Sequence, residues 1–173
     1  MKKDVLEALK ARRSIRKYKP EQVSEELLNA VLEAGTYAPT AMGRQDPVMV
    51  VVQDPALRQK ISEMNRKVAG SNSDPYYGAP TIILVLADGT HPNFIQDCSC
   101  VLANLMNAAY AAGLGSCWIN RELEMFDSPE GKALLAEWGL PENFRGVGAC
   151  ALGYPDQELP EPKTRKDGYV IRK

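Results

Sequence analysis

Residues 94–112 read FIQDCSCVLANLMNAAYAA, and this stretch sets the main constraint on the fold. It predicts a helix that is apolar on almost every side, which needs more cover than one face of a sheet provides. Polar residues such as Gln96, Asn104 and Asn107 lie inside it and no Lys or Arg flanks it, which argues against a transmembrane helix. Its many alanines suit close packing against a sheet, a second helix or the same helix of another subunit. A core helix of a monomer is the remaining alternative.

Four short apolar runs in the rest of the chain predict buried strands. They lie at residues 48–52, 81–86, 116–119 and 145–152. Helical patterns with capping residues or glycine stops cover residues 3–10, 24–35, 54–67 and 128–139. This order favours an α+β or α/β domain with a sheet of four or five strands. The length of 173 residues suits a single domain, residues 1–173, that ends in an extended, proline-containing tail.

The composition argues against several classes of protein. A pI of 5.9 argues against a broad nucleic-acid footprint. The four cysteines fit neither the usual zinc spacing nor the redox C-x-x-C pattern, and there is one histidine, so no metal site is expected. We interpret the cysteines as free thiols in a reducing cytoplasm. The residues after Met1 contain no apolar signal segment, so we expect no secretion and no membrane partner.

A basic cluster follows the first predicted helix. Residues 12–16 read RRSIR, and five of the residues from Arg12 to Lys19 are Lys or Arg. Pro20 prevents an unkinked helix from continuing beyond them. Such a cluster is either a solvated basic surface or a site for a dianion. Several cations around one serine hydroxyl can donate charge-assisted hydrogen bonds to phosphate.

A second basic cluster, KTRK at residues 163–166, lies near the other end of the chain. Residues 1–19 hold eight Lys or Arg against two acids, and residues 163–173 hold five against one. The rest of the chain is strongly anionic. Two basic segments that are remote in sequence can close on one phosphate, whereas a broad nucleic-acid footprint needs positive charge spread over a face.

The chain resembles the short form of the FMN-dependent nitroreductase family. The resemblance is carried, in the family's order, by RRSIRKY at 12–18, APT at 38–40 with Gln45, GLGS at 113–116, WIN at 118–120, GYP at 153–155 and KTR at 163–165. It covers nearly the whole chain. It implies an α+β, three-layer α/β/α fold with a central, mostly antiparallel sheet, a long buried helix and an extended C-terminal tail. It also implies a homodimer with the flavin at the subunit interface.

The resemblance implies roles for both basic clusters. Arg12 and Ser14 match ligands of the FMN phosphate, joined by Lys163 and Arg165 from the tail. Arg16 matches the cation beside the pyrimidine end of the isoalloxazine. There it would stabilise the negative charge that reduction leaves near N1 and O2, and so tune the flavin. Arg13 lies in the same motif and is a further candidate ligand.

Three other segments match parts of the family that contact the flavin ring. Pro39, Thr40 and Ala41, with Gln45, match the loop that reaches the flavin of the other subunit. Asn72 matches an amide that contacts the ring. Residues Ile119 and Asn120 match the segment that passes near flavin N5.

The implied activity is hydride transfer from NADH or NADPH to FMN, followed by reduction of a nitroaromatic, quinone or similar small acceptor by a ping-pong mechanism. The flavin would carry the redox step, so no acid–base side-chain set is required and Arg16 acts as a tuner. The alternatives are a flavin-binding protein for storage or sensing and a different flavin chemistry such as dehalogenation. A further alternative is a domain whose basic ends contact a protein partner.

The chain departs from the family at two places. Relatives commonly read N-x-Q-P-W after the APT-like loop, whereas residues 43–47 read GRQDP and lack both the Asn and the Trp. The segment between the second strand and the long helix, residues 87–93, is short. Longer members insert helices there, so we expect a more open pocket in this chain.

Overall fold

The computed structural model describes residues 5–173, which contain six α-helices and four strands besides a 3-10 turn at Ala41–Gly43. In chain order they are α1 (Val5–Ala11), α2 (Glu25–Thr36), β1 (Val48–Val52), α3 (Pro55–Ala69), β2 (Thr81–Asp88), α4 (Phe94–Ala111), β3 (Gly115–Ile119), α5 (Glu122–Asp127), α6 (Pro129–Glu137) and β4 (Phe144–Gly153). All four predicted strands are present. Helix α5 was not predicted. Residues 1–4 lie outside the described residues. They include Lys3, the predicted start of the first helix, and part of the N-terminal segment on which the expectation of no secretion rests.

Three of the helices begin at the capping residues that the sequence indicates. The side chains of Ser24, Asp54 and Ser128 each accept a hydrogen bond from the backbone N–H three residues later. Each side chain satisfies one of the N–H groups that a helix start leaves without an intrahelical partner. The starts of α2, α3 and α6 are therefore fixed by local sequence.

The four strands form one antiparallel sheet in the order β1-β2-β4-β3. The two central strands, β2 and β4, supply its most buried residues. A register shift between Val85 and Leu86 interrupts the ladder between them. The antiparallel pairing resolves the choice between α/β and α+β in favour of α+β.

Helices cover both faces of the sheet, as the three-layer expectation requires. On one face, Ile83 and Val85 of β2 belong to a core with residues of α2 and α4. On the other face, Ile82 and Leu84 belong to a core with residues of α3, α5 and α6. Successive residues of β2 thus point to opposite cores.

Helix α4 is covered on one side only within the chain. Eight of its eighteen residues are buried, whereas Ile95 is 48% exposed and Ala103 is also exposed. The cover comes from the sheet, from α1 and from α2, whose Ala34 carbonyl accepts a hydrogen bond from Asn104 (3.0 Å). The remaining face carries apolar and small side chains that residues 5–173 of this chain leave partly open. None of the helices in these residues is both long and apolar enough to cross a membrane.

Residues 154–173 form the extended tail that the prolines predict. They contain no helix or strand, apart from one isolated bridge between Pro155 and Tyr18. Every residue from 158 onward is exposed.

Candidate functional site

The basic N-terminal segment is held against the free edge of β3. Ser14 forms a parallel bridge with Ser116, and the Ile15 N–H donates to the Ser116 carbonyl (2.9 Å). Ile15 is buried, and a Cβ built on Gly115 would lie 2.9 Å from its Cγ2. Glycine at 115 therefore permits this close approach. Burial of Ile15 leaves Ser14 and Arg16, on either side of it, nearer the surface.

The same segment also pairs with the chain that leaves β4. The Lys19 N–H donates to the Tyr154 carbonyl, and the Asp156 N–H donates to the Lys17 carbonyl, both at 2.9 Å. The Arg16 N–H donates to Gln157 Oε1 at 2.9 Å. These bonds bring the start of the tail alongside the N-terminal segment, which explains how the two basic clusters meet.

The result is an open cleft of about 410 Å³ that we call the basic cleft. Its lining contains the six residues of the two clusters that the sequence grouped around a phosphate, together with Pro160 and Glu161: Arg12, Arg13, Ser14, Arg16, Lys163 and Arg165. Five of these are cations and Glu161 is the one acid in the lining. Within residues 5–173, none of the five cations forms an ion pair with a carboxylate.

The arginines of the basic cleft differ in how their donors are used. Arg12 Nη1 is buried and has no hydrogen-bond partner among the described residues. Arg13 Nη1 donates to the carbonyls of Lys10 and Arg12, at the end of α1. Arg165 donates to the Lys163 carbonyl within the tail. A buried guanidinium N–H without a partner is costly, so Arg12 is the cation best placed to gain from an anion.

Arg16 joins the basic cleft to a second cleft. Its guanidinium lies over the Tyr77 ring, 5.8 Å from the centroid. Tyr77, Trp118, Ile119 and Asn120 line this second cleft, which we call the tyrosine cleft and which encloses about 310 Å³. Contact with an aromatic face restrains a cation without neutralising it. The positive charge therefore lies at the junction of the two clefts.

Two predicted ring-contact residues form one wall of the tyrosine cleft. Ile119 ends β3 and Asn120 follows it, and both line the cleft. The Asn120 side chain accepts from Trp118 Nε1 (2.8 Å), and its carbonyl accepts from Asn65 Nδ2 (2.8 Å). Asn72 is exposed between Ser71 and Ser73, which line the opposite wall.

Asp74 fixes the turn that carries Tyr77. Its carboxylate accepts from Arg58 (2.6 Å), Ser62 (2.8 Å) and the N–H groups of Tyr76 (3.1 Å) and Gly78 (2.8 Å). Burial acts to raise the pKa of Asp74, but these hydrogen bonds outweigh it and the pKa is lowered. Tyr77 has a φ of 55°, which is uncommon for a non-glycine residue, so the turn depends on such anchoring.

The predicted loop residues lie elsewhere in the chain. Pro39, Thr40, Ala41 and Gln45 precede β1, whereas the basic segment lies beyond β3 at the opposite edge of the sheet. The Ala41 N–H donates to Asp97 of α4 (3.0 Å), and Thr40 Oγ1 accepts from the Gln45 N–H (3.0 Å). One chain therefore brings together the two basic clusters and the 119–120 segment, but not this loop.

Two residues at or behind the site, Tyr77 and Glu122, were not predicted from the sequence. Tyr77 belongs to no motif, and Arg16, which it contacts, lies about sixty residues away in the sequence. Glu122 lies in the unpredicted helix α5, where it is fully buried and accepts from the Tyr76 hydroxyl (2.9 Å). The only signal for Glu122 in the sequence is its place two residues after the WIN motif. Glutamate side chains are mostly exposed, so this position alone does not indicate a buried acid.

The described residues contain no cluster of His, Cys, Asp and Glu suited to a metal ion. All four cysteines are free. Burial raises the pKa of both Cys98 and Cys150 to about 12, so these two remain protonated thiols at neutral pH.

Asp74→Asn is expected to lower the free energy of unfolding by about 1–3 kcal/mol at pH 7, because the charge-assisted bond with Arg58 is lost. The folded-state pKa of Asp74 is lowered, so its contribution is present above the unfolded pKa of about 3.9. This contribution to the free energy of unfolding is lost as the pH falls through the pKa of Asp74 in the folded state. Urea unfolding at pH 7 and at steps down to pH 3 measures the difference. Asp167→Asn, at an exposed position, is the control and should change stability by less than about 0.5 kcal/mol. A wild-type advantage that stays constant down to pH 3 would contradict this assignment.

Comparison with known proteins agrees with the geometry. The Nitroreductase family model matches residues 9–70 and 66–154. A protein of Methanothermobacter thermautotrophicus, provisionally named NADH dehydrogenase/NAD(P)H nitroreductase, is 35% identical over 168 residues, covering 95% of this chain and 82% of its own length. A nitroreductase of Bacteroides fragilis with bound FMN is 34% identical, with a TM-score of 0.89 over 98% of both chains. A nitroreductase of Desulfitobacterium hafniense with bound FMN is 26% identical, with a TM-score of 0.87 over 100% of both chains. The expected fold is therefore confirmed, and the chain belongs to the nitroreductase family.

Proposed function

We propose that this chain binds FMN and is an oxidoreductase that takes a hydride from NADH or NADPH and then reduces nitroaromatics, quinones or similar small acceptors. The observation that carries the proposal is the basic cleft: five cations and Ser14, from both ends of the chain, converge next to the tyrosine cleft. Such a cleft suits a ligand with a dianionic end and a flat aromatic end.

The basic cleft suits the phosphate of FMN. Arg12 and Ser14 come from the segment on β3, and Lys163 and Arg165 come from the tail. A phosphate oxygen would give the buried Arg12 Nη1 the partner that it lacks within the described residues. Guanidinium and hydroxyl donors together match the oxygen-rich, doubly charged group. Arg13, with one nitrogen bound to two carbonyls, has fewer donors to offer.

The tyrosine cleft would take the flavin ring. FMN, when bound, supplies two-electron redox chemistry that the side chains lack. Ile119 and Asn120 form the wall from β3, Asn72 lies in the segment across the cleft, and Arg16 lies at the junction. A fixed cation there stabilises negative charge on a bound ring more than it stabilises a neutral ring. Reductant and acceptor would use the same open cleft in turn, which gives ping-pong kinetics.

We also propose that the functional unit is a homodimer with the flavin at the subunit interface. The half-covered face of α4 supplies an apolar surface, and the loop with Pro39, Thr40, Ala41 and Gln45 precedes β1, at the edge of the sheet opposite the basic segment. In a dimer that loop would reach the flavin held by the partner. The four free cysteines suit a reducing compartment, which we take to be the cytoplasm.

A flavin-binding protein without broad reductase activity is the second candidate, and the loop at residues 43–47 favours it. Arg44 contacts both Asp46 (3.2 Å) and His91 (2.8 Å), and His91 contacts Asp46 (2.6 Å). These contacts join the loop to the β2–α4 connection. They are made by a segment that lacks the Asn and Trp of the N-x-Q-P-W pattern. Dehalogenation, a third possibility, has no observation of its own in its favour.

Purified protein with FMN should be yellow and should oxidise NADH or NADPH when a nitroaromatic or quinone is added. The absorbance of the reduced nicotinamide and of the acceptor measures both half-reactions, and parallel double-reciprocal lines indicate a ping-pong mechanism. A yellow protein that turns over no acceptor would favour the storage or sensing alternative. A protein that binds no FMN would exclude both.

Arg165→Glu is expected to weaken FMN binding by about 10- to 100-fold, because one charge-assisted contact worth about 1.5–3 kcal/mol becomes a repulsion. Quenching of FMN fluorescence measures the affinity. Lys166→Glu is the matched control, since it changes the net charge equally, one position away, and does not line the basic cleft. Equal affinities for the two variants would remove the tail from the phosphate site.

Arg16→Leu should retain FMN, because Arg12, Ser14 and the tail remain in the basic cleft. It should lower the midpoint potential of the bound flavin by about 30 mV or more, equivalent to about 1.4 kcal/mol for a two-electron couple. Bleaching of the flavin by NAD(P)H in stopped flow should slow accordingly. Lys19→Leu, which removes a cation from the same segment, is the control. Unchanged potential and bleaching rate in Arg16→Leu would refute the tuning role.

Light scattering at low micromolar concentration should give twice the mass of one chain, 38 kDa against 19.0 kDa. An interface of this kind buries upwards of about 2,000 Å² in total. Ala103→Glu, on the exposed side of α4, should shift the mass toward that of the single chain, because it places a charge in the apolar contact. Glu137→Ala, outside α4, is the control. A monomer that holds FMN would refute the dimeric site.

A further inference from the structure

A buried acid lies behind the wall of the tyrosine cleft. Glu122, the first residue of α5, is 0% exposed. Its Oε1 accepts a hydrogen bond from the Tyr76 hydroxyl (2.9 Å), while its Oε2 has no partner among the described residues. Met125 and Phe126 belong to the apolar core that also contains Tyr76. A carboxyl group with one hydrogen bond is costly in such surroundings, where an apolar side chain would cost less.

Hydrogen bonds lead from this acid to the cleft. The Tyr76 hydroxyl accepts from Asn65 Nδ2 (3.3 Å), and the same nitrogen donates to the Asn120 carbonyl (2.8 Å). Asn120 lines the tyrosine cleft, and its side chain is held by Trp118. The chain Glu122–Tyr76–Asn65–Asn120 thus connects a core position to the segment that would lie against the flavin.

The state of Glu122 changes the hydrogen bonds at Tyr76. When the carboxyl is ionised it can only accept, so the Tyr76 hydroxyl donates to it and its oxygen accepts from Asn65 alone. When the carboxyl is protonated it can donate to Tyr76, whose oxygen is then shared between two donors. The tyrosine hydroxyl hydrogen can then turn to Met125 Sδ, 4.0 Å away. Because hydrogen bonds in a chain strengthen one another, Asn65 is held more firmly in the ionised state.

We propose that Glu122, Tyr76 and Asn65 are positioning residues that fix Asn120 at the wall of the tyrosine cleft, and that they hold it more firmly when Glu122 is ionised. This inference rests on the proposed binding of FMN in that cleft. Burial raises the pKa of Glu122 to about 8, so both states are populated around neutral pH.

The groups packed around Glu122 do not offer it a counter-charge. Residues 75–78 bring Tyr76, α3 brings Asn65, and Glu124 of α5 acts to raise the pKa of Glu122 further. β4 brings Gly146, whose Cβ position lies 2.5 Å from the Glu122 carbonyl. Of the cations on the adjoining elements, Arg145 pairs with Asp127 and Lys132 donates to two carbonyls. Arg66 lies 3.9 Å from Glu63, and its buried Nε has no partner among the described residues.

The test compares wild type, Glu122→Gln and Tyr76→Phe, each loaded with FMN, between pH 6 and pH 9.5. Two signals are followed, the visible absorption spectrum of the bound flavin and the affinity for FMN. Wild type should bind FMN about fivefold more tightly above pH 8.5 than at pH 6.5, the equivalent of one neutral hydrogen bond. Its flavin spectrum should titrate at the pKa of Glu122 in the FMN complex, which by linkage lies below the pKa of Glu122 in the FMN-free protein. The part of both pH dependences that comes from Glu122 should be absent in Glu122→Gln, which retains only the titration of FMN itself, whose phosphate has a second pKa of about 6.

Tyr76→Phe separates the acid from the cleft. Unfolding of the FMN-free protein reports Glu122 itself: its folded-state pKa is raised, so wild-type stability should fall as the pH rises from about 5 to about 8. Tyr76→Phe should retain this fall and Glu122→Gln should reduce it. The flavin signals of Tyr76→Phe should nevertheless lose their pH dependence. A role in stability alone would not produce this split.

Two results would overturn the inference. One is a Glu122→Gln protein whose flavin signals titrate as wild type does. The other is the same titration in Tyr76→Phe, which decides the matter alone if Glu122→Gln does not fold. In both cases wild-type protein would still bind FMN and turn over, so the proposed function would stand. Wild type that binds no FMN at any pH would instead refute the proposed function, and this inference with it.

Discussion

The packing of Ile15 against Gly115, together with the backbone bond from Ile15 to Ser116, is the contact on which the site depends. Cations at 12, 13, 16 and 17 repel one another, so the segment needs an apolar anchor to stay in one place. Burial of a side chain such as isoleucine is worth about 1.5–3 kcal/mol. Tyr18 adds to it, because its buried hydroxyl donates to the Ile15 carbonyl (2.6 Å). This anchor holds the cations close together despite their mutual repulsion, so the segment presents a positive potential that favours an anion.

A second constraint is the incomplete burial of α4. The sequence predicts cover on nearly all sides of this helix, whereas the sheet, α1 and α2 supply only part of it. Three features remain open within this chain: the exposed side of α4, the 38–45 loop at the edge of the sheet opposite the basic segment, and the open basic cleft. A partner chain would address the three together, which is why the dimer and the flavin site belong to one proposal.

Much of the fold follows from local sequence, and the exceptions have physical reasons. β1 occupies the predicted residues, and the other strands extend the predicted runs by one to two residues at an end, because pairing continues past the apolar core. Helix α5 was missed because its six residues make fewer than two turns and no Ser, Thr, Asp or Asn precedes it as a cap. Its position comes from packing on β4 rather than from propensity. The two basic clusters were grouped from charge and resemblance, and both line the basic cleft. Their role as phosphate ligands stays a prediction. Tyr77 and Glu122 were not found, since their partners are distant in sequence and a single Tyr or Glu carries no pattern.

Strand β3 sets the spacing of the site. Ser116 near its start holds the basic segment, and Ile119 and Asn120 at its end form the wall of the tyrosine cleft. Four residues of strand span about 13 Å, and a strand paired to β4 along its length cannot stretch or bend much. The other edge of β3 is taken by Ser14 and Ile15, which removes an exposed edge and places the cations there. A single short strand thus sets the distance between the basic cleft and the tyrosine cleft, and in our proposal the hydrogen-bonded chain behind Asn120 fixes the end of that strand.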